Sequence, residues 1–191
     1  FLVHAPFLLT DSREGIKASE KHNLEMVQEL ASLAADSLET LKSEKLIDDG
    51  ILDIIPYDGS KFSDPGNRSR VSFMPFYDKF KDNLRSGRYL PSVNGEYTGR
   101  DHAYWASDTD LVELFTDAQL EQLTGTENAR WIFRSLGKKE VLNAKKTALA
   151  EYIDGGDARA WNQKESNLIV SSLDPEAILR KISDDFISSQ S

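Results

Sequence analysis

Two basic side chains near the start of the chain, Arg13 and Lys17, have the chemistry and the spacing to bind an anion. They are four residues apart, which places them on the same face of a helix. A guanidinium is permanently charged and pairs with two phosphate oxygens at once. The exposed amide groups of a helix start would add positive potential beside them. The pair therefore predicts a small cationic site for an anion that a partner supplies.

The residues before Arg13 predict how this site is presented. The run 1–9 is largely apolar and contains a proline, which is typical of a strand that bends or ends. The chain starts inside this run and not at a methionine, which predicts a segment of a longer protein. The Thr-Asp-Ser sequence at 10–12 offers three helix caps. In an alternative interpretation there is no anion site, because Arg13 pairs with Asp11 or Glu14.

Other chemical patterns are missing from the sequence. It contains no cysteine, which excludes disulfides and thiolate metal sites and favours a cytoplasmic location. The three histidines, His4, His22 and His102, do not have the spacing of metal ligands, so we expect no metal site. We expect His4 in the core and His102 paired with Asp101 at the surface. No nucleophile elbow, P-loop or dinucleotide fingerprint is present.

Composition narrows the function classes. The 191 residues carry a net charge of −9, and 29% of them are charged. No apolar window is long enough to span a bilayer, which argues against a membrane protein. An acidic chain lacks the positive field that non-specific nucleic-acid binding needs. A local basic cluster is either a solvated surface or an anion-binding face: Arg68, Arg70, Lys79, Lys81, Arg85 and Arg88.

Hydrophobic periodicity predicts a long helix over 17–44. Its apolar residues recur every three or four positions and form one stripe: Leu24, Val27, Leu30, Ala34, Leu38 and Leu41. A second helix is predicted over 75–86. Between the two helices, the β-branched run 51–57 predicts a buried strand, and 58–69 has the composition of a loop.

The predicted elements become shorter after residue 87. Asn94-Gly95 predicts a hairpin between 89–91 and 96–98. Further helices are predicted over 108–115, 117–125, 127–136, 139–153, 157–167 and 174–187. The predicted fold class is α+β and rich in helix, with a small mixed sheet packed against the long N-terminal helix and a helical C-terminal half. We expect two segments, 1–87 and 88–191.

Residues 9–14, Leu-Thr-Asp-Ser-Arg-Glu before a long helix, resemble the middle segment of the ninety-kilodalton heat-shock chaperones. The chain also resembles a group of large proteins that carry an N-terminal ATP-binding domain of the GHKL type, and sacsin-like proteins have related segments. The stretches that carry this second resemblance are 4–7, 11–13, 37–42, 54–56, 89–91, 95–97 and 103–105.

The resemblance implies a role for Arg13. In the chaperones, the arginine of this turn reaches the terminal phosphate of ATP that the preceding domain holds. Thr10 and Lys17 differ from the asparagine and glutamine that the family has at these positions, so the resemblance transfers a role to Arg13 alone. ATP and Mg²⁺ would belong to the upstream domain, and this segment alone would need no cofactor and would not be an ATPase.

Three functions follow as hypotheses. The first is a nucleotide-state transducer in a multidomain ATPase, whose partners are the upstream ATP-binding domain and a protein client. The second is a protein-interaction module without a nucleotide role, based on its aromatic residues: Phe73, Phe76, Tyr77, Trp105, Trp131 and Trp161. The third is a nucleic-acid-handling segment, as in relatives of MutL or gyrase, which the basic cluster favours and the net charge opposes.

Overall fold

The computed structural model is an α+β protein, as the sequence predicts. It divides into two compact units, one of residues 1–46 with 54–83 and the other of 47–53 with 84–191. The predicted division at residues 87 and 88 stays a prediction. The structure describes residues 4–48, 50, 54, 58–62, 71–106, 109–132, 148–149, 151–153 and 171–173.

The first unit is built on helix α1, Lys21–Ser43. The predicted helix is confirmed over most of its length, but its buried stripe differs from the predicted one. The buried residues are Asn23, Val27, Ala31, Ala35 and Leu38. Leu24 is 46% exposed, so its place in the predicted stripe is wrong. The alanines have small side chains that allow close packing, and Val27 and Ala31 form a core with Val71 and Phe76.

The C-terminus of α1 is a Schellman motif. The Leu46 amide donates to the Leu41 carbonyl at 2.8 Å, and the Lys45 amide donates to the Lys42 carbonyl at 3.0 Å. Lys45 takes the left-handed conformation, with φ of 56°, that glycine usually occupies at this position. The motif ends the helix one residue before the predicted boundary.

Helix α2, Met74–Ser86, confirms the second predicted helix. A 3-10 helix, Gly59–Phe62, precedes it within the predicted loop. The Phe73 amide donates to the Phe62 carbonyl at 2.8 Å, which connects these two elements. Of the predicted strand 51–57, the structure describes Ile54 alone. That residue is helical and 76% exposed, so the prediction of a buried strand is wrong there.

In the second unit, strands β1 (Leu90–Pro91) and β2 (Tyr97–Thr98) form the predicted antiparallel hairpin. Its turn contains Gly95 at φ of 85°. This is a left-handed conformation that glycine adopts without a steric cost. The Asn94-Gly95 signal therefore predicted both the hairpin and its turn correctly.

Three further strands form a parallel sheet in the order β4-β3-β5. They are β3 (Ala103–Ala106), β4 (Arg130–Trp131) and β5 (Ser171–Leu173). An isolated antiparallel bridge pairs Ser92, the residue after β1, with Ile132, the residue after β4. The prediction of a small sheet is thus confirmed, while its packing against the long N-terminal helix stays a prediction.

Helices α3 (Thr109–Leu114) and α4 (Asp117–Thr124) connect β3 to β4, since parallel neighbours need a crossover. Thr116 and Gln119 form a capping box at the start of α4, and Gly125 ends it at φ of 68°. Both boundaries of α4 agree with the sequence prediction.

The predicted helix over 127–136 is wrong where the structure describes it. Residues 130–131 form β4, and its Trp131 and the following Ile132 are buried in the unit. The Trp131 Nε1 donates to the Phe115 carbonyl at 2.9 Å. Tertiary burial therefore overrides the local capping signal. Residues 148–149 and 151–153 are helical, while the helices predicted at 157–167 and 174–187 lie outside the described residues.

Candidate anion-binding hairpin

Residues 8–17 form a short hairpin, called here the Arg13 hairpin. Leu9 and Ile16 form an antiparallel bridge. The Thr10 amide donates to the Gly15 carbonyl at 2.8 Å, and the Lys17 amide donates to the Leu8 carbonyl at 3.0 Å. Because Lys17 is paired within the hairpin, the helix does not start at residue 17 as predicted. Helix α1 begins at Lys21 instead. The prediction that Arg13 and Lys17 share a helix face is therefore wrong.

The tip of the hairpin places Arg13 in a specific backbone conformation. The Arg13 amide donates to the Thr10 carbonyl at 2.8 Å, which closes a turn over residues 10–13. The Gly15 amide donates to the Thr10 Oγ1 at 3.3 Å, so this predicted helix cap stabilises the turn instead. Arg13 has a φ of 58°, a left-handed conformation that costs an L-residue about 1–2 kcal/mol.

The Arg13 side chain is exposed. Within the part of the chain that the structure describes, it has no ion pair or hydrogen bond. Asp11 pairs with Lys17 instead, at 3.1 Å between Oδ1 and Nζ. The alternative in which Arg13 pairs with Asp11 or Glu14 is therefore not what the structure shows. Lys17 already has a counter-ion, and Arg13 is the available cation of the hairpin.

A buried asparagine holds the open end of the hairpin against α1. Asn23 is 0% exposed. Its Oδ1 accepts from the Leu8 amide at 2.9 Å, and its Nδ2 donates to the carbonyls of Leu8 at 2.8 Å and Lys17 at 2.9 Å. Sequence reasoning missed Asn23. The signal was its position four residues before Val27, on the stripe that α1 buries.

The second strand of the hairpin also pairs on its other side. The Val71 amide donates to the Ile16 carbonyl at 3.3 Å. Ile16 and Phe7 are partly buried against the core formed by α1, Val71 and Phe76. The base of the hairpin is thus packed, and its tip carries the exposed guanidinium.

The histidines have other environments than the sequence predicts. His4 is exposed, so its prediction as a core residue is wrong. His102 Nδ1 lies 2.8 Å from the Glu127 carbonyl, and because a carbonyl only accepts, this nitrogen carries the proton. Asp101 pairs with Arg100 at 3.2 Å, so the predicted His102–Asp101 pair is wrong. Among the described residues, no group of three or more acidic or histidine side chains could hold a metal ion.

The aromatic residues proposed for protein interaction are mostly internal. Phe76, Trp105 and Trp131 are buried, and Phe73 and Tyr77 are half-buried. Trp161 lies outside the described residues, as do Arg68 and Arg70 of the basic cluster. Lys79, Arg85 and Arg88 are exposed, whereas Lys81 is half-buried with its Nζ 5.7 Å from the centre of the Tyr77 ring.

Two groups near the start of α2 have shifted pKa values. Burial raises the pKa of Tyr77 above 10.0, and the negative charges of Asp78 and Asp58 raise it further. Hydrogen bonds from the side chain and the backbone of Ser60 lower the pKa of Asp58 below 3.8. Neither group belongs to the Arg13 hairpin.

Comparison with known proteins does not assign a family. No protein-family model matches the chain, and neither a characterised protein nor a solved structure has significant similarity to it. In the described ranges, every helix is too short or too polar to cross a lipid bilayer.

Proposed function

We propose that this chain is the nucleotide-sensing segment of a larger cytoplasmic ATPase. In this proposal, Arg13 contacts the terminal phosphate of ATP that an upstream domain binds. The observation that carries the proposal is the state of Arg13, which is exposed, left-handed and without an ion pair among the described residues. A left-handed non-glycine residue is found more often than average at functional positions, and Arg13 combines this backbone with a guanidinium at the tip of a hairpin whose base is packed.

The charges of the hairpin suggest why a second domain is needed. Asp11, Arg13, Glu14 and Lys17 carry formal charges that cancel. The hairpin alone therefore has little long-range attraction for a free phosphate. A domain that already holds the nucleotide would bring the phosphate to Arg13, whose guanidinium binds two phosphate oxygens at once. Docking of the two domains would then depend on the terminal phosphate.

The test is ATP turnover by the full-length protein with Arg13→Ala. An arginine supplied to a phosphoryl-transfer site contributes about 10³- to 10⁵-fold to the rate. We expect a loss of this order in turnover. Arg13→Lys keeps the charge but loses the planar fork, so it should recover only a small part of the activity.

Lys45→Ala is the matched control, because Lys45 is also an exposed basic residue at a left-handed position of the same unit. It should leave turnover unchanged. Wild-type turnover in Arg13→Ala would contradict the proposal, and so would a full-length protein that does not hydrolyse ATP.

The second candidate function is a protein-interaction module without a nucleotide role. Leu8 and Leu9 favour it, because they are 48% and 46% exposed on the Arg13 hairpin. An upstream ATP-binding domain could cover the same side chains, so their exposure fits both candidates. Arg13→Ala separates the two, since an apolar interface would tolerate the loss of this charge.

A further inference from the structure

We infer that Asn23 is a positioning residue that links the Arg13 hairpin to α1, so that a displacement of Arg13 is transmitted to the helix. The purpose of the link rests on the function proposed above. The link itself can be tested without any nucleotide.

The side chain of Asn23, which lies on α1, forms hydrogen bonds with the hairpin backbone as a neighbouring strand would. Its side-chain amide uses one oxygen and the Nδ2 group to bind both strands of the hairpin at once. Both backbone groups of Leu8, the amide and the carbonyl, bond to this one side chain. The carbonyl of Lys17, on the opposite strand, bonds to it as well. The open end of the hairpin is therefore fixed to the first turn of α1.

The other contacts between the hairpin and this helix are of a different kind. Ile16 of the hairpin and Phe7, the residue before the hairpin, pack against a core to which Val27 and Ala31 of α1 contribute. Apolar contacts are non-directional, so they favour burial without fixing the register of one element on another. Hydrogen bonds have directional requirements and do fix a register. Asn23 therefore determines where the base of the hairpin lies on α1.

Loss of the Asn23 amide has a specific consequence for the backbone. The Leu8 carbonyl keeps the Lys17 amide as a donor. The Leu8 amide and the Lys17 carbonyl would keep no partner among the described residues. Two unpaired backbone groups near a buried position favour local opening of the hairpin. The body of α1 has its own hydrogen bonds and core, so it should not open with the hairpin.

The experiment is hydrogen exchange of the chain with Asn23→Ala, compared with the wild type. We expect the amides of Thr10, Arg13 and Lys17 to exchange about tenfold faster or more, since the variant leaves the Leu8 amide and the Lys17 carbonyl unpaired. The amides of residues 27–38 in α1 should keep their wild-type rates. Gln28→Ala is the matched control, because it removes an exposed amide side chain from the same helix and should change neither set.

Asn23→Asp adds a pH-dependent readout. An ionised aspartate can still accept from the Leu8 amide but cannot donate to the two carbonyls. A buried carboxyl group beside carbonyl oxygens has a raised pKa. Acidification should therefore protonate it, restore one donor and slow exchange of the hairpin, after correction for the intrinsic effect of pH. Asn23→Ala should show no such recovery.

Three results would overturn the inference. They are wild-type exchange of the hairpin in Asn23→Ala, an equal loss of protection throughout α1, and no pH-dependent recovery in Asn23→Asp. In the full-length protein, Asn23→Ala should lower kcat and leave the KM for ATP unchanged, because the upstream domain holds the nucleotide. If Arg13→Ala has wild-type turnover while Asn23→Ala speeds hydrogen exchange of the hairpin, the proposed function is contradicted. The inferred link between the hairpin and α1 is then still supported.

Discussion

At Arg13, a cation, a turn and a left-handed backbone coincide at the tip of one hairpin. The sequence predicts the cation and the turn, because Thr10, Asp11 and Ser12 are residues that favour turns and caps. It does not predict the ion pair between Asp11 and Lys17, which depends on the pairing of Leu9 with Ile16. Residues four positions apart lie on the same face of a helix, but a hairpin does not place them on one face. The local sequence pattern does not distinguish the two structures.

Tyr77 gives a prediction for alkaline pH. Its pKa is raised, so the folded protein holds this proton more tightly than the unfolded chain does. The stability that this provides is fully present below the unfolded pKa of about 10 and is lost as pH rises through the folded pKa. We therefore expect Tyr77→Phe to lose less stability above pH 10 than the wild type.

The measurement is urea unfolding at several pH values, with tyrosine ionisation followed by ultraviolet absorbance. Subtracting the Tyr77→Phe titration from that of the wild type isolates this phenol. A Tyr77 component that ionises at or below the ordinary pKa would contradict the structure.

Among the elements, α1 shows which part of helix packing a sequence reveals. The spacing of Val27 and Leu38 predicts the correct general face. The stripe is centred differently because Ala31 and Ala35 are buried, while Leu24 lies at its exposed margin. Hydrophobicity favours leucine over alanine for burial. Close approach of neighbouring segments favours the smaller side chain, and only the tertiary structure decides between these effects.

The segment after Thr126 shows that local sequence signals do not always decide between a helix and a strand. Local capping chemistry predicts a helix, whereas the chain forms β4 and buries Trp131. The prediction failed because β4 is stabilised by pairing with β3, whose residues are distant in the sequence. By contrast, α4 was predicted well, since its capping box and its terminal glycine are local signals.

The end of α1 provides a stability prediction. Lys45→Gly should raise the free energy of unfolding by about 0.5–1 kcal/mol, because glycine adopts the left-handed φ of 56° without a steric cost. Urea unfolding monitored by circular dichroism is the measurement. Glu44→Gly is the control, since Glu44 has a φ of −82° and gains nothing from glycine. A stabilisation in the control that equals that of Lys45→Gly would contradict the explanation.

For the whole molecule, the fold class could be read from the sequence, but the topology could not. Alternation of helical and strand signals predicts an α+β fold, and the structure agrees. The order β4-β3-β5, with two parallel pairs, depends on contacts between residues far apart in the chain. The same holds for the candidate site. The sequence indicates Arg13 by its residue type, whereas the hydrogen bonds of Asn23 to the hairpin are seen only in the folded structure.

The proposed function requires a domain outside this chain. If Arg13 contacts the terminal phosphate, the hairpin that carries it should be protected when ATP is bound and released when ADP is bound. Composition agrees with this view, because the net charge of −9 gives no general attraction for phosphate. Recognition would depend on one arginine and on the geometry of docking.

The most direct measurement is hydrogen exchange of residues 8–17 in the full-length protein, with a non-hydrolysable ATP analogue or with ADP. If Arg13 contacts the terminal phosphate, these amides should exchange more slowly with the ATP analogue than with ADP, and Arg13→Ala should show no such difference. Equal exchange with the two nucleotides in the wild-type protein would contradict it.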